Sequence, residues 1–123
     1  MLHIITPLYR FDNLEQIYNT MLVNDDITWH ISKSNRREEL NNDFIKTDKR
    51  IKIYNCDCED TDTTIKRNEV LSEIKSGYFC FLDDDTILHE NMYIKYKECE
   101  EQKVSTILEI QSLLNLRNNT YPE

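Results

Sequence analysis

Asp83, Asp84 and Asp85 stand in a row directly after the apolar run Tyr78-Phe79-Cys80-Phe81-Leu82. An apolar strand that ends in three carboxylates delivers them to the rim of a sheet, where their mutual repulsion is costly until a cation neutralises it. Oxygen ligands alone, with no His or Cys in the run, favour Mg2+ or Mn2+. Such ions keep part of their water and complete their shell with substrate phosphates, so the cluster predicts a diphosphate ligand. The plainer alternative is an acidic turn that caps the next segment and faces water. The position after a buried strand favours the metal.

Other segments must form the sheet that carries this rim. The 123 residues suit a single domain, 1–123, with one core. Leu2 to Thr6 is an Ile-rich run closed by Pro7 and predicts a buried first strand. Asp12 offers an N-cap, and Leu14, Ile17, Tyr18, Met21 and Leu22 recur at helical spacing, predicting a helix from about Asn13 to Val23. Ile27 to Lys33 predicts the second strand, and Ile51, Ile53 and Tyr54 mark the third. Between them the polar stretch Asn35 to Asp48 suits a surface loop with a short helix that buries Leu40 and Phe44. Ile65, Val70, Leu71 and Ile74 form the apolar stripe of a helix capped from within Asp60 to Thr64 and ending near Gly77. The continuous run Tyr78 to Leu82 predicts a strand buried on both faces in the middle of the sheet. A turn comes after the aspartates, then a helix from about Glu90 to Gln102 carrying Met92, Tyr93, Tyr96 and Cys99. The β-branched density of Val104 to Ile110 predicts a strand, and Leu113 to Glu123 adds a short strand before a loose end. The alternation predicts an α/β layer fold, a mostly parallel sheet flanked by helices, with right-handed crossovers. Its ligand belongs at the carboxyl ends of the strands, where the loops after Thr6, Lys33, Tyr54 and Leu82 converge.

Composition narrows the chemistry. Asp and Glu number 23 against 15 Lys and Arg, and the formal charge of -8 argues against nucleic acid and anionic lipid as partners. A single glycine excludes a Gly-rich phosphate loop. No apolar run approaches the roughly 20 residues of a membrane span. The opening Met1-Leu2-His3-Ile4-Ile5-Thr6-Pro7 lacks the basic and long apolar regions of a signal peptide, so a cytoplasmic protein is expected. Cys56, Cys58, Cys80 and Cys99 lack metal-ligand spacing and are expected as reduced thiols. Arg36-Arg37-Glu38-Glu39 reads as a solvated face. No Ser/His/Asp or Cys/His arrangement has a local signature, so the catalytic base is left unassigned.

Three segments, in order, carry a family resemblance. Ile4-Ile5-Thr6-Pro7-Leu8-Tyr9-Arg10, Ile65-Lys66-Arg67-Asn68-Glu69-Val70-Leu71 and Tyr78-Phe79-Cys80-Phe81-Leu82-Asp83-Asp84-Asp85-Thr86 resemble the nucleotide loop, the Arg-Asn helix and the DxD strand of GT-A glycosyltransferases. The pattern is most similar to the β-glucuronyltransferases of the proteoglycan linker region, with a Thr-Pro-x-Tyr start, a Trp like Trp29 and a triple Asp; the resemblance covers about Leu2 to Leu116. It implies a Rossmann-like GT-A fold and a metal-dependent glycosyltransferase that binds a UDP-sugar with Mn2+ or Mg2+. By position, Thr6 and Pro7 would flank the uracil, Tyr9 would stack on it, and Asp84 would accept from the ribose hydroxyls. Asp85 would be the direct metal ligand, and Asp83, beside the metal, would meet Arg67 on the sugar side.

Two departures from the family bear on the site. Ser32-Lys33-Ser34 replaces an acidic base-reading residue, leaving Ser34 as the hydrogen-bonding group, and Asp62 falls where a second basic residue is expected, leaving the phosphates to the metal, Lys66 or Arg10. The family's acceptor half is nearly absent, so transfer to a glycan or protein acceptor is expected to need a partner, a second copy of the chain or a substrate that serves as its own base. His89, just after the aspartates, could approach the metal. Two alternatives stand beside this reading. One is a domain that binds or hydrolyses a nucleotide sugar without transfer. The other is a phosphohydrolase of the haloacid dehalogenase type built on Asp83-x-Asp85, against which Ile87 occupies the position of that motif's Thr.

Overall fold

The computed structural model of the chain describes residues 1–21, 24–88, 90–102 and 113–115. In chain order the elements are β1 (Leu2–Leu8), α1 (Leu14–Met21), β2 (Ile27–Ser34), α2 (Asp43–Thr47), β3 (Ile51–Cys56), α3 (Thr63–Leu71), β4 (Tyr78–Phe81), β5 (Thr86–Leu88), α4 (Glu90–Gln102) and β6 (Leu113–Asn115). They belong to two compact units, Met1–Phe11 with Asp26–Asp84 and Asp12–Asp25 with Asp85–Glu123.

The first unit is α/β. Its sheet has the order β3-β2-β1-β4, and every pairing is parallel. β1 and β2 are the central strands, and all eight residues of β2 are buried, as a strand covered on both faces requires. Tyr78 to Leu82, expected in the middle of the sheet, instead provides its edge among the described residues, and Phe79 is 47% exposed. A continuous apolar run does not separate a central strand from an edge strand, because hydropathy carries no information about neighbours.

The first strand also runs further than expected, through Pro7 to Leu8. The Ile5 carbonyl accepts from the Leu82 N–H on the β4 side at 2.8 Å. Pro7, two residues on, turns its nitrogen to that same side, past the last residue of β4 paired with β1, Phe81. No ladder bond is lost there, so proline is tolerated within the strand.

α3 lies across β1, β2 and β3. Asp62 caps it, its side chain accepting from the Ile65 N–H at 3.1 Å, and the helix ends at Leu71, short of Gly77. Its buried residues are Lys66 and Val70, one helical turn apart, while Ile65 is 46% exposed. Val70 of the predicted stripe is buried, but at its start Lys66 takes the buried place expected for Ile65, because its ammonium finds backbone carbonyls beneath the helix. Gly77, at φ 94°, allows the chain to enter β4 beside the start of β1, and a Cβ there would lie 2.6 Å from the Met1 carbonyl oxygen.

Polar side chains also cross this sheet. His3 Nδ1 meets His30 Nε2 at 2.9 Å, His30 Nδ1 meets the Tyr54 hydroxyl at 2.8 Å, and His3 Nε2 lies 3.1 Å from the Ser76 carbonyl. That carbonyl can only accept, so one proton arrangement serves the whole chain. Tyr54 donates to His30, His30 to His3 and His3 to Ser76, with both imidazoles neutral. Burial lowers both histidines' proton affinity, and that of His30 falls to a pKa of about 4.

In the second unit α1 buries Leu14, Ile17 and Met21 and contacts β5, and α4 buries Met92 and Tyr96. The turn expected after the aspartates contains β5, which pairs antiparallel with the expected short strand, β6. The strand predicted over Val104 to Ile110, the ends of the predicted first helix at Leu22 and Val23, and His89 lie outside the described residues. No helix among the described residues is long and apolar enough to cross a membrane.

Candidate functional site

From β1 the chain moves to β2 and β3 on one side, then returns to β4 on the other side of β1. The strand order therefore reverses between β1 and β4. In an open parallel sheet the carboxyl ends of the strands at such a reversal are the usual place for a ligand. Tyr9 and Arg10 follow β1 there, and Asp83 and Asp84 follow β4.

Asp84 joins the two loops. Its Oδ2 accepts the Tyr9 N–H at 2.7 Å and the Arg10 N–H at 2.6 Å, and its Oδ1 accepts from Arg10 Nη1 at 3.0 Å. Its side chain is 4% exposed, and a carboxylate so placed is stable only with donors such as these. Asp84 is therefore first a structural tie, and any ribose contact would be added to these bonds.

Tyr9 is held at both ends of its backbone, since its carbonyl accepts from Arg37 Nη1 at 3.0 Å. The ring stays open to solvent at 44% exposure, with the Arg10 guanidinium 5.6 Å from its centroid. Arg37 also meets Asp60 at 2.7 Å and sits 4.2 Å from the Phe11 ring centroid. It is half-buried and engaged, which corrects the expectation of a solvated face at that position. Hydrogen bonds that it donates to Glu38 and Asp60 hold its guanidinium above the ordinary arginine value.

Asp83 and Arg67 meet through Nη2 and Oδ1 at 3.3 Å, with Asp83 60% exposed. Arg67 lies 4.6 Å from the centroid of the Phe81 ring, and its Nε is buried without a hydrogen-bond partner among the described residues. The remaining predicted residues are turned inward. Thr6 Oγ1 accepts from Trp29 Nε1 at 2.9 Å, and Pro7 is buried in β1. Ser34 donates to the Cys58 carbonyl at 2.7 Å and accepts from the Arg36 N–H at 3.1 Å. Lys66 is 1% exposed and engaged on the Leu8 and Asp60 carbonyls. Asp85 is buried and begins the second unit.

Among the described residues no three His, Cys, Asp or Glu side chains gather into a ready-made metal cage. The candidate donors are hard carboxylates, which suit an Mg2+ or Mn2+ ion that takes most of its ligands from water and a diphosphate and do not suit zinc. Cys56, Cys58 and Cys80 are buried, and burial pushes Cys80 up to about 12, which disfavours its thiolate.

Arg37 and Asp60 are the residues that sequence reasoning missed. Each is one charge within a charged stretch, and no local spacing marks either. For Lys66 a signal did exist, its i,i+4 relation to Val70 on a helix face. Comparison of the chain with protein-family models, with curated proteins and with solved structures returns no match to any of them.

Proposed function

We propose that this chain is the donor-binding part of a metal-assisted glycosyltransferase, a Rossmann-like unit of GT-A type that takes a UDP-sugar. The observation that carries the reading is the junction between β1 and β4, where the strand order reverses and Asp84 ties the Tyr9-Arg10 loop to the aspartate run. The loops named by the sequence resemblance are those that follow β1 and β4, which supports the reading. In this reading the exposed Tyr9 ring stacks on uracil through area and π-face. Arg10 faces the diphosphate, and Arg67 offers its planar fork to the sugar side beside Asp83. By the resemblance Asp85 would be the direct ligand of Mn2+ or Mg2+, with Asp83 also assigned to the metal, and the ion would supply positive charge to a departing nucleoside diphosphate. The acceptor in this reading is a glycan or a protein.

Asp85→Asn tests the metal assignment. It is expected to abolish metal-dependent UDP binding in calorimetry while leaving the circular dichroism spectrum and melting temperature unchanged. Undiminished binding by the folded variant would remove Asp85 from the site.

A further inference from the structure

Two cations far apart in the sequence converge on consecutive carbonyls where β1 passes into its loop, those of Leu8, the last residue of the strand, and Tyr9. Lys66 Nζ donates to the Leu8 carbonyl at 2.7 Å, and Arg37 Nη1 donates to the Tyr9 carbonyl at 3.0 Å. Asp60 links the two. Its Oδ2 accepts from Arg37 at 2.7 Å, its Oδ1 lies 3.8 Å from Lys66 Nζ, and its backbone carbonyl accepts from that same ammonium. From the other side Asp84 takes the Tyr9 and Arg10 amides. The carbonyls of Leu8 and Tyr9 and the amides of Tyr9 and Arg10 are thus all bound by charged side chains.

Water at the rim of a sheet could satisfy these backbone groups, and burying an ammonium is a costly way to stabilise a loop. What the arrangement provides is a fixed backbone beneath an exposed aromatic ring. We propose that Arg37, Asp60 and Lys66 form a positioning network that pre-organises Tyr9 as a stacking platform for the base of a nucleoside diphosphate. The network acts through the Leu8 and Tyr9 carbonyls and does not touch the ligand. The proposal rests on the nucleotide reading above and adds to it the residues that hold its aromatic contact. Without the network the Tyr9 loop must be ordered at the moment of binding, and affinity falls.

The test is a double-mutant cycle in the intact chain, read by calorimetric titration with UDP and Mn2+. Arg37→Gln is expected to weaken binding about three- to tenfold, the range given by ordering one side chain on binding. In a Tyr9→Ala background the same change is expected to have no further effect, because the platform is already gone. An equal loss in both backgrounds would overturn the proposal, since Arg37 would then touch the ligand or support the site by another route. Amide hydrogen exchange on the ligand-free protein supplies a reading independent of UDP. Exchange at Tyr9 and Arg10 is expected to quicken about tenfold in Arg37→Gln and in Asp60→Asn, the effect of about 1.4 kcal/mol of local opening. Unchanged exchange in both variants would overturn the network. Absence of UDP binding by the wild type, with the exchange effect intact, would instead overturn the nucleotide reading.

Discussion

Asp83 and Asp84 are chemically identical neighbours whose surroundings differ. Asp84 is buried under three donors, whereas Asp83 is 60% exposed and meets Arg67 at 3.3 Å. A long, exposed pair of this kind contributes little stability, and Asp83 can exchange partners at small cost. That the triple aspartate and Tyr9 follow strands was legible in the sequence, because it depends on the apolar runs before them. The bonds that hold Tyr9 were not, because they join residues 28 and 75 positions apart, distances over which no local pattern operates. Tyr9→Ala is predicted to weaken UDP binding by about 1–3 kcal/mol, the usual worth of a base stacked on an aromatic side chain. Calorimetry on the variant checks this, and equal affinity would take Tyr9 out of the site.

At the scale of elements, the alternation of strands and helices was readable from periodicity, and α4 spans the range expected for it. Strand order was not readable, because β4 is as apolar as a central strand and its edge position results from pairing with β1 alone among the described strands. The burial of Lys66 in place of Ile65 was not readable for the same reason, since the carbonyls that take its ammonium are supplied from Leu8 and Asp60. Gly77 governs the entry to β4. Gly77→Ala is predicted to destabilise the fold by about 1–2 kcal/mol from the left-handed backbone alone, with the contact to the Met1 carbonyl adding to it. Urea unfolding measures the loss, and an unchanged midpoint would mean that this close approach is not required.

For the whole molecule, charge and pH make separate statements. A chain of net charge -8 gathers Arg10, Arg37, Lys66 and Arg67 around the loops at the carboxyl edge of one sheet, where Asp84, Asp60 and Asp83 face them as counter-charges. The His3-His30-Tyr54 chain makes stability depend on pH. His30 titrates near pH 4 in the folded state against 6.5 as the reference value, because of burial first and then the neighbouring His3 and Lys52 charges. Between those values the unfolded chain binds more protons, so stability rises with pH across the window and is lost as pH falls from about 6.5 towards 4. The shift corresponds to at most about 3 kcal/mol near neutrality. Glutamine can make the same donor and acceptor contacts without titrating, so His30→Gln is predicted to flatten this part of the pH profile in urea unfolding. Parallel profiles for the two proteins would contradict the neutral histidine chain.

The proposed function stands or falls on whether the edge of the sheet between β1 and β4 binds a nucleoside diphosphate together with a divalent ion. Calorimetric titration of the purified chain with UDP, in the presence and absence of Mn2+, decides it. Saturable one-to-one binding that requires Mn2+ or is strongly enhanced by it is the expected outcome. No binding under either condition would contradict the nucleotide site and leave the three aspartates as structural residues of this fold.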